Sequence, residues 1–100
     1  MTRLPAMVEQ NGLRVYLPPG DIYWRDRLVN CAPICARILR WLMVRYPLLA
    51  SLSELFGEAG SIGSFATQLT RLRRALEACG VPVSIINYRG RGYRLEWSEQ

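Results

Sequence analysis

The sequence predicts a small α+β domain: an N-terminal antiparallel sheet, three helices and a C-terminal β-hairpin. Three observations predict it. Short strand-like runs at 7–10 and 13–17 flank Asn11-Gly12, and both of these residues tolerate the positive φ that a two-residue hairpin turn requires. Apolar residues then recur at helical spacing between Asn30 and Cys79. Last, an extended run at 81–88 returns as a second run at 94–97 across a tip containing Gly90 and Gly92.

The front of the chain reads as a meander. After the Asn11-Gly12 hairpin, Pro18-Pro19-Gly20-Asp21 forms a second turn, and the run Ile22-Tyr23-Trp24-Arg25 passes through Asp26-Arg27 into Leu28-Val29. Residues 1–29 therefore make the sheet, and nothing in them requires chemistry.

Residues 30–80 hold the helices. The first starts near Asn30 or Ala32 with Pro33 in its first turn, where a missing amide proton costs little. Its apolar stripe is Ile34, Ile38, Trp41 and Leu42, widened by Cys35, Leu39 and Tyr46, and Pro47 ends it. Ser51-Leu52-Ser53-Glu54 is a capping box that opens a short second helix through Phe56, closed by Gly57 and Gly60. Residues 57–63 form a connector rich in Gly and Ser. The third helix runs from Ser64 to Cys79, with Phe65, Leu69, Leu72, Leu76 and Cys79 on one face and Gly80 as its stop. Its opposite arc carries Thr67, Thr70, Arg71 and Arg74, with Arg73 on a flank. Residues 81–97 form the hairpin, whose tip projects Arg89 and Arg91.

Charge concentrates in this last third. Six arginines and one glutamate lie between 64 and 95, so the segment carries the +5 of the entire 100-residue chain. All thirteen basic residues are arginine, a side chain suited to forked contacts with phosphate and guanine. An excess so placed points to a polyanionic partner, and everything upstream reads as its scaffold.

Other classes are argued against. The chain has no histidine, no carboxylate pair at catalytic spacing, no phosphate-cradling loop before a helix and no nucleophile motif, so an enzyme is not expected. Cys31 and Cys35 have a metal-like spacing, but a closed zinc site needs four ligands. The three cysteines, with Cys79, are expected to be buried reduced thiols, and neither metal nor cofactor is expected. The odd count argues against a secreted disulfide framework. No apolar run approaches the ~20 residues of a membrane span, and residues 1–7 lack the apolar core of a secretory signal. A cytoplasmic protein with no membrane partner is the expectation.

Two short helices, a longer basic helix and a glycine-tipped hairpin together make a winged helix-turn-helix. At this point the chain resembles a known family. The string Ile85-Ile86-Asn87-Tyr88-Arg89-Gly90-Arg91-Gly92-Tyr93-Arg94-Leu95 is similar to the wing of OmpR/PhoB-type DNA-binding domains, which commonly reads Val-Arg-Gly-x-Gly-Tyr-x-Leu. Leu69-Thr70-Arg71-Leu72-Arg73-Arg74 resembles the family's Ile-x-Arg-Leu-Arg-x recognition-helix core, and Leu55-Phe56-Gly57 resembles the Val-Trp-Gly closing its second helix. The resemblance covers almost the entire chain. One departure is Cys31-Ala32-Pro33-Ile34-Cys35, which stands for a Leu-Thr-Pro-x-Glu pattern and puts Cys35 at the acidic position.

The resemblance implies a sequence-specific transcription regulator of bacterial type that binds double-stranded DNA, with helix 64–79 in the major groove and wing 88–94 at the minor groove. Ser64, Thr67, Gln68, Thr70, Arg71, Arg73 and Arg74 are then the recognition-helix contacts, and Arg89, Arg91 and Arg94 the wing contacts. Arg71 ranks first for the groove, while Arg73 serves the backbone or an internal ion pair. Arg91 is the minor-groove residue and Arg89 a phosphate contact. Tyr93, Trp24, Trp41 and Trp97 are expected to pack rather than to bind. No receiver domain or phosphorylatable aspartate context accompanies these motifs, which implies a stand-alone regulator or the output domain of a longer protein. Further implied partners are a second copy, as a homodimer or a head-to-tail pair on direct repeats, and RNA polymerase or another regulator. The connector through which relatives touch polymerase is short and uncharged here, at 60–64. The alternative function is a winged helix repurposed for protein–protein contact in a regulatory or secretion assembly, its basic face meeting an acidic partner.

Overall fold

A computed structural model describes residues 4–98; residues 1–3, which belong to the segment inspected for a secretory signal, and 99–100 lie outside the described residues. The order is β1 (Met7–Gln10), β2 (Leu13–Tyr16), β3 (Asp21–Trp24), β4 (Arg27–Val29), α1 (Pro33–Arg45), β5 (Ala50–Ser51), α2 (Leu52–Ala59), α3 (Ile62–Ala78), β6 (Val83–Tyr88) and β7 (Gly92–Trp97). It forms two antiparallel sheets, β1-β2-β3-β4 and β5-β7-β6.

The first sheet follows the meander expected from the sequence. Asn11 (φ 53°) and Gly12 (φ 91°) make the first turn, and Val8 pairs with Val15 across it. Strand alternation turns Leu13, Val15, Ile22, Trp24 and Val29 inward, where all are buried. They rest against α1, which also packs on α2, α3 and β7 and so forms the centre of the core.

The buried face of α1 is rotated from the expected stripe. Cys35, Ala36, Ile38, Leu39, Leu42 and Met43 are buried, whereas Ile34 and Trp41 are only half-buried. The sheet covers one side of α1 and two helices the other, so small Ala36 belongs inside and Trp41 is left at the rim. There Trp41 donates its indole N–H to Glu58 at 2.8 Å and lies under Arg45, which pairs with Glu54 at 2.5 Å. These contacts lock α1 to α2.

The capping box of α2 is present in both directions: Ser51 Oγ accepts from the Glu54 amide, and a Glu54 carboxylate oxygen accepts from the Ser51 amide. The helix does not stop at Phe56, however. It continues through Gly57 to Ala59 because Leu55 and Ala59 both reach the core, and Gly60 alone, left-handed at φ 88°, ends it. The expected connector at 57–63 therefore shrinks to Gly60 and Ser61. Ser61 caps α3, its Oγ accepting from the Ser64 amide at 3.0 Å, so α3 starts at Ile62 rather than Ser64.

At its far end α3 closes as expected from Gly80. The Gly80 amide donates to Glu77 O and the Val81 amide to Leu76 O, both at 3.0 Å, which satisfies two terminal carbonyls. β6 begins at Val83, after Pro82. The return strand starts at Gly92, two residues before Arg94, because Gly92 and Tyr93 pair with β5 as well as β6. A side chain at Gly92 would collide with the Ala50 carbonyl. Trp97 closes the fold end to end, stacking on Trp24 at 6.3 Å and donating to Gln10 at 2.7 Å.

The cysteine expectation needs correction. Only Cys35 is buried; Cys31 and Cys79 are half-exposed, and all three are free thiols. No helix among the described residues is long and apolar enough to cross a membrane.

Candidate nucleic-acid interface

The basic end of the chain is a helix clamped to a hairpin. α3 presents Phe65, Leu69, Leu72 and Leu76 to the core, each at most 4% exposed. Phe65 sits between Phe56 of α2 and Tyr93 of β7, with ring centroids 5.2 Å from each. One side of α3 thus meets the first two helices while Tyr93, half-buried as a packing residue, ties it to the wing.

With that face committed, Thr67, Thr70, Arg71, Arg73 and Arg74 stand exposed on the other side. The two threonine hydroxyls donate back to the helix, Thr67 to Gly63 O at 3.2 Å and Thr70 to Ala66 O at 3.1 Å. Each oxygen keeps lone pairs for an incoming donor, and each methyl is presented with it. Among the described residues, the guanidinium groups of Arg71 and Arg74 make no hydrogen bond or ion pair. Both line a shallow groove of about 570 Å³ with Ala75, Asn30, Cys31 and Ala32. Asn30 and Cys31 reach the basic helix only through the tertiary fold, and the sequence carries no local signal for it.

The remaining helix candidates are placed differently. Ser64 is half-buried in the first turn, where its amide is taken by the cap. Gln68 is half-buried and faces α1, its Oε1 and backbone O lying 3.6 and 3.7 Å from Cys35 Sγ. Arg73 reaches the wing instead of solvent alone: Nη2 donates to Ile85 O on β6 at 2.6 Å. That bond fixes the spacing between helix and hairpin.

On the wing, Arg89 and Arg91 flank Gly90 at an exposed tip closed by the Arg91 amide donating to Tyr88 O at 2.9 Å. Like those of Arg71 and Arg74, their guanidinium groups make no hydrogen bond or ion pair among the described residues. Arg94 differs. It lies over the Tyr88 ring at 5.4 Å, donates to the Tyr88 hydroxyl at 2.7 Å and pairs with Glu96 at 3.2 Å. The structure thus brings Thr67, Thr70, Arg71 and Arg74 together on one helix face and sets Arg89 and Arg91 on the adjoining hairpin. Gln68, Arg73 and Arg94 are held in contacts within the domain. Among the described residues no group of three or more His, Cys, Asp or Glu side chains is placed to hold a metal.

No protein-family model matches the sequence, and no curated protein matches it significantly. Solved structures do match. The DNA-binding domain of the response regulator AdeR, crystallised in complex with an intercistronic region, superposes with a TM-score of 0.74 at 20% identity. The match covers 90% of this chain and 98% of that one. The C-terminal domain of the nisin resistance regulator NsrR, a lantibiotic response regulator, gives 0.69 at 24% identity over 91% of this chain and 98% of that one. With its N-terminal sheet, three helices and C-terminal hairpin, the chain therefore shares the winged-helix fold of these two domains.

Proposed function

We propose that the chain is a sequence-specific transcription regulator that binds double-stranded DNA. On this reading α3 enters the major groove and the wing, residues 88–94, lies at the minor groove. The observation that carries it is the set of four arginines, Arg71, Arg74, Arg89 and Arg91, exposed on a helix and hairpin that Arg73 and Tyr93 hold as one unit. An α-helix fits the major groove, where a guanidinium can bond guanine O6 and N7 together and a threonine can meet the thymine methyl. A cationic hairpin tip beside it suits the more negative minor groove. The fold shared with a domain crystallised on DNA supports the same reading.

In this assignment Arg71 and Arg74 read bases with Thr67 and Thr70, Arg91 enters the minor groove, and Arg89 holds phosphate. Arg73, Gln68 and Arg94 position these groups, and Ser64 adds a first-turn contact. Two copies on direct repeats would give a composite site. The experiment is selection of bound sequences from a random duplex pool. Enrichment of a short motif, repeated at a fixed spacing, is the expected result; a pool that stays random sinks the proposal.

A further inference from the structure

α3 has two flanks, and the wing occupies only one of them. On that side Arg73 donates to Ile85 O of β6 at 2.6 Å. Gln68 and Ala75, seven residues apart and so on one line of the helix, mark the other side. Gln68 lies against Cys35 of α1, and Ala75 shares the groove of about 570 Å³ with Arg71, Arg74, Asn30, Cys31 and Ala32. The far wall of this groove is the link from β4 to α1. Asn30 is exposed there, and among the described residues its side-chain amide makes no hydrogen bond.

A helix with its side chains is about 10–12 Å across, and the major groove is about 12 Å wide. A helix lying in that groove therefore fills it and has a phosphodiester strand along each flank. The link from β4 to α1 borders α3 on the flank opposite the wing. Its chemistry suits a sugar–phosphate strand. Cys31, Ala32 and Ala75 have short side chains, which leaves a low, weakly polar floor open to a deoxyribose. At the rim Asn30 offers two N–H donors, and asparagine is a common partner of phosphate oxygens. Arg71 and Arg74 on the opposite wall make the groove positive.

We propose, on the reading that α3 enters the major groove of duplex DNA, that Asn30 is a DNA-backbone contact. Its side-chain amide donates to a phosphate of the strand that borders α3 on the flank away from the wing. In this role Asn30 carries no sequence information. It sets the depth and tilt of α3, and so where Arg71 and Arg74 meet the bases. The wing and Asn30 then hold the helix from both sides.

The test uses the full-length protein and the selected duplex, together with copies in which one phosphate at a time is replaced by an uncharged methylphosphonate. Wild type is titrated first on the unmodified duplex. Failure to bind there removes duplex recognition and the Asn30 contact with it; every later result bears on Asn30 alone. Asn30 is exposed, so its substitution leaves folding intact. Asn30→Ala should weaken binding about three- to tenfold, by the same factor on every single-base variant of the site. At one phosphate, the losses from methylphosphonate and from Asn30→Ala should overlap. The pair together should cost less than the product of the two by about threefold or more. Asn30→Arg should bind more tightly than wild type and steepen the fall of log affinity with log salt by about 1. Unchanged affinity in Asn30→Ala, fully multiplicative losses at every phosphate, or relaxed preference at one base position would each overturn the proposal.

Discussion

Gly92→Ala isolates the close approach that fixes the wing to the helical core. β7 passes β5 so tightly here that an added Cβ would collide with the Ala50 carbonyl oxygen. It would also lie 3.0 Å from the Ala50 carbonyl carbon and 3.2 Å from Ser51 Cα. All three are backbone atoms of a paired strand, so no side chain can rotate aside. Relief requires β7 to part from β5, losing the Ala50–Tyr93 pair and disturbing Tyr93 against Phe65. Such overpacking belongs at the upper end of its usual range, about 3 kcal/mol. For a domain of this size each kcal/mol lowers Tm by about 4–8 °C, so a fall of about 12 °C or more is expected. Gly90→Ala is the control. Gly90 is left-handed at φ 73° but has nothing within 4 Å of an added Cβ, so only the backbone term remains, about 1 kcal/mol. Thermal unfolding followed by circular dichroism should place Gly92→Ala below Gly90→Ala by about 8 °C or more. Equal melting temperatures for the two variants would refute the close-approach argument.

Two further outcomes separate the roles assigned above. Arg71→Ala should lower affinity for a selected duplex by about 1–3 kcal/mol and relax preference at one base position, whereas Arg89→Ala should weaken all duplexes about equally. Competition titrations against single-base variants of the selected site measure both. The Arg45 hydrogen bond, with the Ser51 amide adding to it, holds the Glu54 carboxyl below its ordinary range. A depressed carboxylate contributes stability that is present above the unfolded value of about 4.3 and is lost as pH falls through the folded value. Wild type should therefore melt above Glu54→Gln at neutral pH, and the gap should close in acid below about pH 4; a gap that persists there contradicts the assignment.

What the sequence made legible follows from how local each determinant is. The capping box at Ser51 and Glu54, the Asn11-Gly12 turn, the Gly80 stop and the Phe65-Leu69-Leu72-Leu76 stripe act over a turn or two of chain, and each is found in place. The helical course of the connector is not legible locally, because glycine disfavours a helix by about 1 kcal/mol, a preference that burial of Leu55, Ala59 and Phe65 overrides at Gly57 and Gly63. β5 has only two residues and exists through its pairing with β7, so no periodicity announces it. The same reason hid the division among the arginines. Arg71, Arg73 and Arg74 are neighbours of one type, and only the approach of β6 gives Arg73 a carbonyl to hold. Arg94 reads as basic as Arg91 until strand alternation lays it over Tyr88.

The salt dependence of duplex binding tests the central claim most directly. If the basic helix face and wing neutralise about six phosphates, log affinity should fall with log salt at a slope of about −5. Titration of one duplex at two salt concentrations measures the slope, and Arg89→Ala should make it shallower by about 1. A flat response in wild type would contradict the account.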